Sequence, residues 1–241
     1  MASPIAPSPQ TDAPNTCLFI ISAPSGSGKT TLVRELFRLV PDLEFSISYT
    51  TRPPRGSEQN GRDYFFVDRP EFERMIAVGA FLEHAEVFGN FYGTAWSFLE
   101  DARRRGRDLV LDIDVQGAAQ VRARLPQAAS IFIAPPDRAT LAWRLESRGL
   151  DRPETVAQRL GDASREIAAY NRYGYVIIND RLAESIEQLQ AVVLSERSRA
   201  RGEPLDPRWA GLAEACRQHN VAARLEPVLR SFGLEAGPAN R

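Results

Sequence analysis

The sequence predicts an α/β fold: three layers, with one parallel sheet between helices, interrupted by a small β-rich lobe. Three observations lead there. Short apolar runs of strand length, Cys17–Ile21, Asp108–Val115, Ser130–Ala134 and Tyr175–Asn179, each give way to a helical pattern. Strands that alternate with helices join as right-handed parallel crossovers. The alternation breaks over residues 47–95, where short strand-like runs cluster around one short helix.

The first unit holds the most specific chemistry. Cys17 to Ile21 reads as a buried strand, and a Gly-containing turn follows. Leu32, Val33, Leu36, Phe37 and Val40 then give the next helix one apolar side. The turn ends Gly28-Lys29-Thr30 and fits the phosphate-loop pattern G-x-x-x-x-G-K-S/T, with Ala23 in place of the first glycine. Ala23, Pro24, Ser25, Gly26, Ser27, Gly28, Lys29, Thr30 and Thr31 are therefore the expected contacts of a nucleotide's phosphates. Glycines let backbone N–H groups curl around phosphate oxygens, and the helix start adds its unpaired N–H groups and positive dipole end. Lys29 reaches the β/γ-phosphates as a point charge, while the Thr30 hydroxyl is a ligand for Mg²⁺. Lys29 is also the only lysine among 30 basic residues, the other 29 being arginine. A compact ammonium suits a place where a guanidinium fork is too bulky. The competing reading is an ordinary Gly/Ser turn before a helix. With strand, turn and helix in the required order, the sheet is expected to be of the P-loop NTPase type.

Composition bounds the rest. At 241 residues the chain has room for one α/β domain with an inserted lobe, or for two small domains. A formal net charge of −1 gives no general field for nucleic acid or an anionic membrane, and neither partner is expected. Two cysteines, Cys17 and Cys216, supply neither a disulfide framework nor metal-ligand spacing, which suggests a reducing, cytoplasmic setting. No apolar run approaches the roughly 20 residues of a membrane span. Residues 1–15, rich in Pro, Ser and Ala with no basic start, read as a disordered tail rather than a secretory signal.

In chain order, Phe45–Ser48 alternates like a strand. Thr51-Arg52-Pro53-Pro54-Arg55 then forms a stiffened surface of hydroxyl and guanidinium groups suited to a phosphate, or else a solvated turn. Asp68 caps a short helix whose apolar face is Phe72, Met75, Ile76 and Val78, with Gly79 closing it. A hairpin follows, Phe81–Phe88 and Phe91–Gly93 around Gly89-Asn90, and Thr94 is placed to cap the helix 95–105. The strand Asp108–Val115 brings Asp112 and Asp114 onto one face at its carboxyl end, where ligands of parallel sheets sit. A strand-end Asp that caps the next helix is the alternative, and Gly117 lets the chain turn into that helix. After Asp137, two helices bearing Arg144, Arg148 and Arg159 read as a lid over about 144–160. The alternative pairs these arginines with surface acids. A fourth core strand ends at Asn179, before a long helix from Leu182 to about Arg199. Neither His84 nor His219 has a nucleophile context, and His84 reads as structural. Beyond 202, Trp209, Leu212 and Cys216, then Leu225, Val228, Leu229 and Phe232, outline two short helices. They are expected to pack on the core, or on a second subunit of a homodimer.

These residues together resemble the guanylate kinase family over about 16–200, with a core of 16–46 and 96–202 and a nucleoside-monophosphate lobe at 47–95. The most diagnostic part is Thr51-Arg52-x-x-Arg55-x-x-Glu58-x-x-Gly61-x-x-Tyr64-x-Phe66. The resemblance implies transfer of the γ-phosphoryl group of ATP to GMP, and to dGMP, with Mg²⁺. It implies that Ser48, Arg52, Arg55, Tyr64 and Tyr92 hold the GMP phosphate. Glu83 and Thr94 would read guanine with Asp114 near its amino group. Many members carry serine where this chain has Thr94. By the same resemblance Lys29, Arg144, Arg148 and Arg159 contact transferring phosphates, Asp112 and Thr30 organise Mg²⁺, and Asn179 lies near adenine. The residues agree with this on their own terms. Guanine offers N1–H and N2–H₂ donors that a carboxylate accepts as a pair, whereas adenine reverses the pattern. The attacking phosphate oxygen is already anionic, so no general base is required. Two other readings share these motifs: a non-catalytic phosphopeptide-binding module, and a ribose-phosphate kinase. Turnover with GMP separates the first, and the pairing of Glu83 with Thr94 disfavours the second.

Overall fold

The computed structural model describes residues 16–87, 89–147 and 153–235; the expected tail at 1–15 and Arg148, with the rest of 148–152, lie outside them. Strand β1 (Leu18–Ser22) is buried at every position and leads through the glycine turn into α1 (Lys29–Leu39). β2 (Leu43–Phe45) follows, then β3 (Tyr49–Thr50), β4 (Phe65–Phe66), α2 (Arg69–Ala77), β5 (Phe81–Val87) and β6 (Asn90–Ala95). Next come α3 (Trp96–Arg104), β7 (Asp108–Asp112), α4 (Val115–Arg124), β8 (Ala129–Ala134), α5 (Arg138–Glu146) and α6 (Pro153–Ile167). The chain continues through one 3₁₀ turn (Tyr170–Arg172), β9 (Tyr175–Ile178), α7 (Leu182–Arg201), α8 (Pro207–Ala215) and α9 (Ala222–Ser231).

The core sheet runs β2-β7-β1-β8-β9, and every pair is parallel. Both faces are covered, so its strands read as continuous apolar runs. Successive residues still point to opposite sides. Ile20, Leu111 and Phe132 pack toward α3–α6 and α9, while Phe19, Ile21, Val110 and Ile133 pack toward α1, α7 and α8. The second sheet, β4-β3-β6-β5, stands apart from the first, and α2 lays Phe72 and Met75 on it beside Phe81. Its rings are stacked: Phe72 lies 4.5 Å from Phe81 and 5.3 Å from Phe91.

Three local expectations give way to tertiary structure. The strand expected at 45–48 is β2, at Leu43–Phe45, although the Ser46 amide still donates to the Val110 carbonyl at 3.0 Å. Thr94 does not cap α3; Ala95 stands there, and Thr94 is fully buried in β6. β7 ends at Asp112, and Asp114 caps α4 by accepting from the Gly117 amide at 2.9 Å. Asp68 and Asp137 cap α2 and α5 as expected.

Asp108, fully buried at the start of β7, ties three elements together. It accepts from the Cys17 amide at 2.9 Å and from Arg197 Nε at 2.6 Å, with Arg201 at 3.5 Å. A buried carboxylate is tolerable only with such partners, so this cluster fixes α7 against the sheet edge.

The segment beyond 202 packs on this chain's own core. Cys216 and Ala213 join the α1/α7 side, and Leu225, Val228, Leu229 and Phe232 join the other. Between α8 and α9 the chain runs antiparallel to β9: the Val176 amide donates to the Cys216 carbonyl at 2.8 Å, and the Gln218 amide donates to the Gly174 carbonyl at 3.0 Å. The segment thus covers an edge of the sheet that would otherwise be open to pairing. No helix among the described residues is long and apolar enough to cross a membrane.

Candidate active site

At the carboxyl ends of β1 and β7, the turn 23–28 closes on itself, the Ser27 amide donating to the Pro24 carbonyl at 3.1 Å. Gly26 and Gly28 have φ of 93° and 89°, the left-handed region that glycine enters without strain. Gly28 serves a second purpose. A Cβ there would lie 2.3 Å from Nδ2 of Asn179, which donates to the Ser27 carbonyl at 2.7 Å. Asn179 follows β9 and is 4% exposed, so its amide is committed to bracing the loop from behind. Thr30 is exposed in the first turn of α1.

Lys29 forms an ion pair with Asp112, each side chain about one-fifth exposed. The two helices expected to form a lid reach this loop and the asparagine that braces it. Arg159 of α6 donates to the Ser25 hydroxyl at 3.3 Å, and Arg144 Nη2 of α5 donates to the Asn179 carbonyl at 3.1 Å. Arg144 Nη1 is buried without a hydrogen-bond partner among the described residues. A desolvated guanidinium N–H of this kind is costly unless an anion meets it. Arg148 lies outside the described residues.

Across from the loop, the lobe assembles its own basic pocket. Arg52 is 6% exposed, donates to Glu58 at 2.9 Å and to the Pro53 carbonyl at 2.7 Å, and lies 5.2 Å over the Tyr64 ring. Glu58 also accepts from the Arg55 amide at 2.8 Å, so one carboxylate sets both arginines. Glu58 stands in the sequence pattern, but its holding role was not legible there. The Arg55 side chain is exposed, Tyr64 meets Tyr92 edge-on at 6.0 Å, and Ser48 is half-buried beside them in sequence. Burial pushes the Tyr64 hydroxyl up, and among the charges that add to the rise is Asp112. The lobe pocket therefore lies within electrostatic reach of the carboxylate that pairs with Lys29.

Glu83 of β5 and Thr94 of β6 are register partners, 3% and 0% exposed. Burial pushes the Glu83 carboxyl up to about 7. Thr94 beside it draws it down in part, and Asp114 adds to the rise. Gly117, in the first turn of α4, has an ordinary helical φ rather than a turn conformation. A Cβ on it would lie 2.4 Å from Glu83 Oε2, so the glycine makes room for the carboxylate. Glu166 of α6 is a further, half-buried acid, pushed up to about 7 by desolvation, with Lys29 drawing it down and Asp114 raising it. Nothing in the sequence marks it among the acids of its helix. In the folded, ligand-free protein both carboxyls hold protons up to about pH 7, whereas the unfolded chain loses them near 4.3. Their contribution to stability therefore falls as pH rises through that window.

A family model described as guanylate kinase matches residues 15–196. The chain is 52% identical over 221 residues to a guanylate kinase of Koribacter versatilis, covering 89% of this chain and 95% of that one. It is 53% identical over 176 residues to one from Dechloromonas aromatica, covering 73% and 87% respectively. Among solved structures it is similar to guanylate kinase from Anaplasma phagocytophilum, with 35% identity, a TM-score of 0.63, and coverage of 76% and 86%. A match covering 89% of the chain must reach into the segment beyond 202, so part of that segment is shared with the Koribacter protein.

Proposed function

Because the chain belongs to the guanylate kinase family, and is thus a phosphotransferase between ATP and GMP, we propose how its two facing pockets divide the work. The triphosphate of ATP lies on Ala23–Thr31, with Lys29, Arg144 and Arg159 neutralising the transferring group and Arg148 joining from the lid. Asn179 braces the loop through its Nδ2 and lies near adenine. GMP lies in the lobe, its phosphate on Ser48, Arg52, Arg55, Tyr64 and Tyr92, its base on Glu83 and Thr94 with Asp114 alongside. The observation that supports this most is the reach of Asp112, partner of Lys29, to Tyr64 in the opposite pocket. Catalysis is then alignment and charge neutralisation, with water excluded as the lobes close.

The residues also fit Mg²⁺. Among the described residues no cluster of three or more His, Cys, Asp or Glu forms a metal cage. Thr30 and Asp112 supply two oxygen donors, which is what Mg²⁺ uses when phosphates and water supply the rest. Bound there, it would neutralise charge between the β- and γ-phosphates. The proposed setting is a reducing cytoplasm, where burial holds the thiols of Cys17 and Cys216 protonated, at about 12 and about 11.

A coupled ADP-release assay across GMP, dGMP, AMP and ribose phosphates tests the division. Turnover with GMP and dGMP alone is expected, since no residue assigned here needs the 2′-hydroxyl. Equal turnover with AMP would remove Glu83 from base reading. A second expectation follows from the Glu83 carboxyl near 7. Guanine binding needs the carboxylate, so GMP affinity should fall about tenfold per pH unit below 7 as a proton must first leave. Titration calorimetry in buffers of different ionisation enthalpy measures that proton. The Glu83→Gln protein should keep only the phosphate's own step near pH 6.

A further inference from the structure

A cavity among the described residues lies elsewhere, at the amino ends of β8 and β9, whereas the phosphate loop sits at the carboxyl ends of the core strands. It has a volume of about 630 Å³, and Arg122, Arg172, Arg199, Arg217 and Glu196 supply all the charge in its lining. We propose that it is a second anion site, which takes the condensed phosphate chain of a nucleoside polyphosphate.

Charge accounting comes first. Four guanidinium groups face one carboxylate, and that carboxylate is already shared. Glu196 accepts from Arg199 at 2.8 Å, from Arg217 at 3.3 Å and from the Tyr175 hydroxyl. Neither Arg122 nor Arg172 has a carboxylate partner among the described residues. Arg217 also reaches Glu214, outside the lining, at 3.8 Å, which leaves a local excess of two positive charges in a chain of net charge −1. Like charges gathered in one concavity repel, and a polyanion removes the repulsion.

Preorganisation comes second. Arg217 lies 4.3 Å over the Tyr175 ring, and Arg122 lies 5.6 Å over the Tyr173 ring. Guanidinium groups held over aromatic rings lose part of their freedom, and their forks meet phosphate oxygens two at a time. The volume falls within the range of small-molecule sites, larger than a single phosphate needs. Arg199 and Arg217 both lie beyond the family match, which ends at 196, and Arg217 comes from the segment that covers the β9 edge. The C-terminal segment therefore completes the cavity as well as covering the edge.

Calorimetry on the full chain, with the active site filled by a bisubstrate analogue joining ATP and GMP, tests this. The probes are inorganic tripolyphosphate and GTP. Each should bind once per chain and lose at least tenfold in affinity in the Arg122→Gln/Arg172→Gln protein, while turnover with ATP and GMP stays within twofold. Tighter binding of GTP than of tripolyphosphate would put the nucleoside in the cavity as proposed. Equal binding would reject the nucleoside part and keep a bare phosphate-chain site. No binding to the filled wild type, or binding unchanged in the variant, overturns the proposal. If the double variant loses its melting transition, Arg199→Gln on the exposed side of α7 takes its place, with the same expected loss. Repeating the titration on Lys29→Ala separates the result from the active-site reading, because that variant should retain the second site.

Discussion

Replacing Lys29 by alanine is expected to lower kcat by about 10²–10³-fold while leaving GMP affinity within a few-fold. The residue stands at the start of α1, on the backbone that Gly26 and Gly28 bend into place. Its ammonium pairs with Asp112 in the ligand-free protein. Removing it does two things at once. The developing charge on the transferred phosphoryl group loses a donor, and Asp112 is left uncompensated beside the triphosphate. Both penalties fall on the phosphoryl-transfer step, whereas the proposed GMP pocket on Arg52, Glu83 and Thr94 is untouched. Lys29→Arg should restore little, since a planar fork does not fit where a point charge stood. Single-turnover kinetics with separately measured GMP binding decides it. A raised KM for GMP with kcat unchanged would move Lys29 out of the catalytic group.

How far the sequence predicts these contacts depends on whether they are local. The core strands are legible because a doubly covered parallel sheet demands unbroken apolar runs, and Phe19–Ile21 and Ile131–Ile133 are such runs. The helix caps at Asp68 and Asp137 are legible because a cap needs only three neighbouring residues. Thr94 misleads for the same reason. A threonine before a helical pattern looks like a cap, but pairing across the hairpin with Glu83 draws it into β6. Gly117 misleads in the opposite sense. It suggests a turn, yet its value is the missing Cβ that a residue 34 positions earlier requires. Asn179 and Ser27, 152 positions apart, meet only once the sheet has formed. Glu166 gains its environment only when the lid helix lies near Lys29 and Asp114. No pattern along the chain encodes either contact.

Gly117→Ala should therefore damage GMP recognition without damaging the fold. On propensity alone, alanine inside a helix is favoured over glycine by about 1 kcal/mol. The added methyl carbon would stand 2.4 Å from Glu83 Oε2 and 3.0 Å from its carboxyl carbon. Those atoms are the end of a flexible side chain, so the carboxylate moves and the backbones of α4 and β5 stay. The melting temperature should hold or rise slightly. kcat/KM for GMP should fall about 10- to 100-fold, mostly in KM, as the paired acceptor swings away from the guanine edge. Glu83→Ala should cost more, about 10²-fold or beyond, and narrow the preference for GMP over AMP, because base selection built on hydrogen bonds reaches several orders of magnitude. The combination discriminates best. If the methyl acts only by displacing this carboxylate, adding Gly117→Ala to Glu83→Ala costs nothing further, and the cycle shows strong coupling. Additive losses would mean that the glycine serves GMP by another route, and that the close approach of α4 to Glu83 does not set the base-reading geometry.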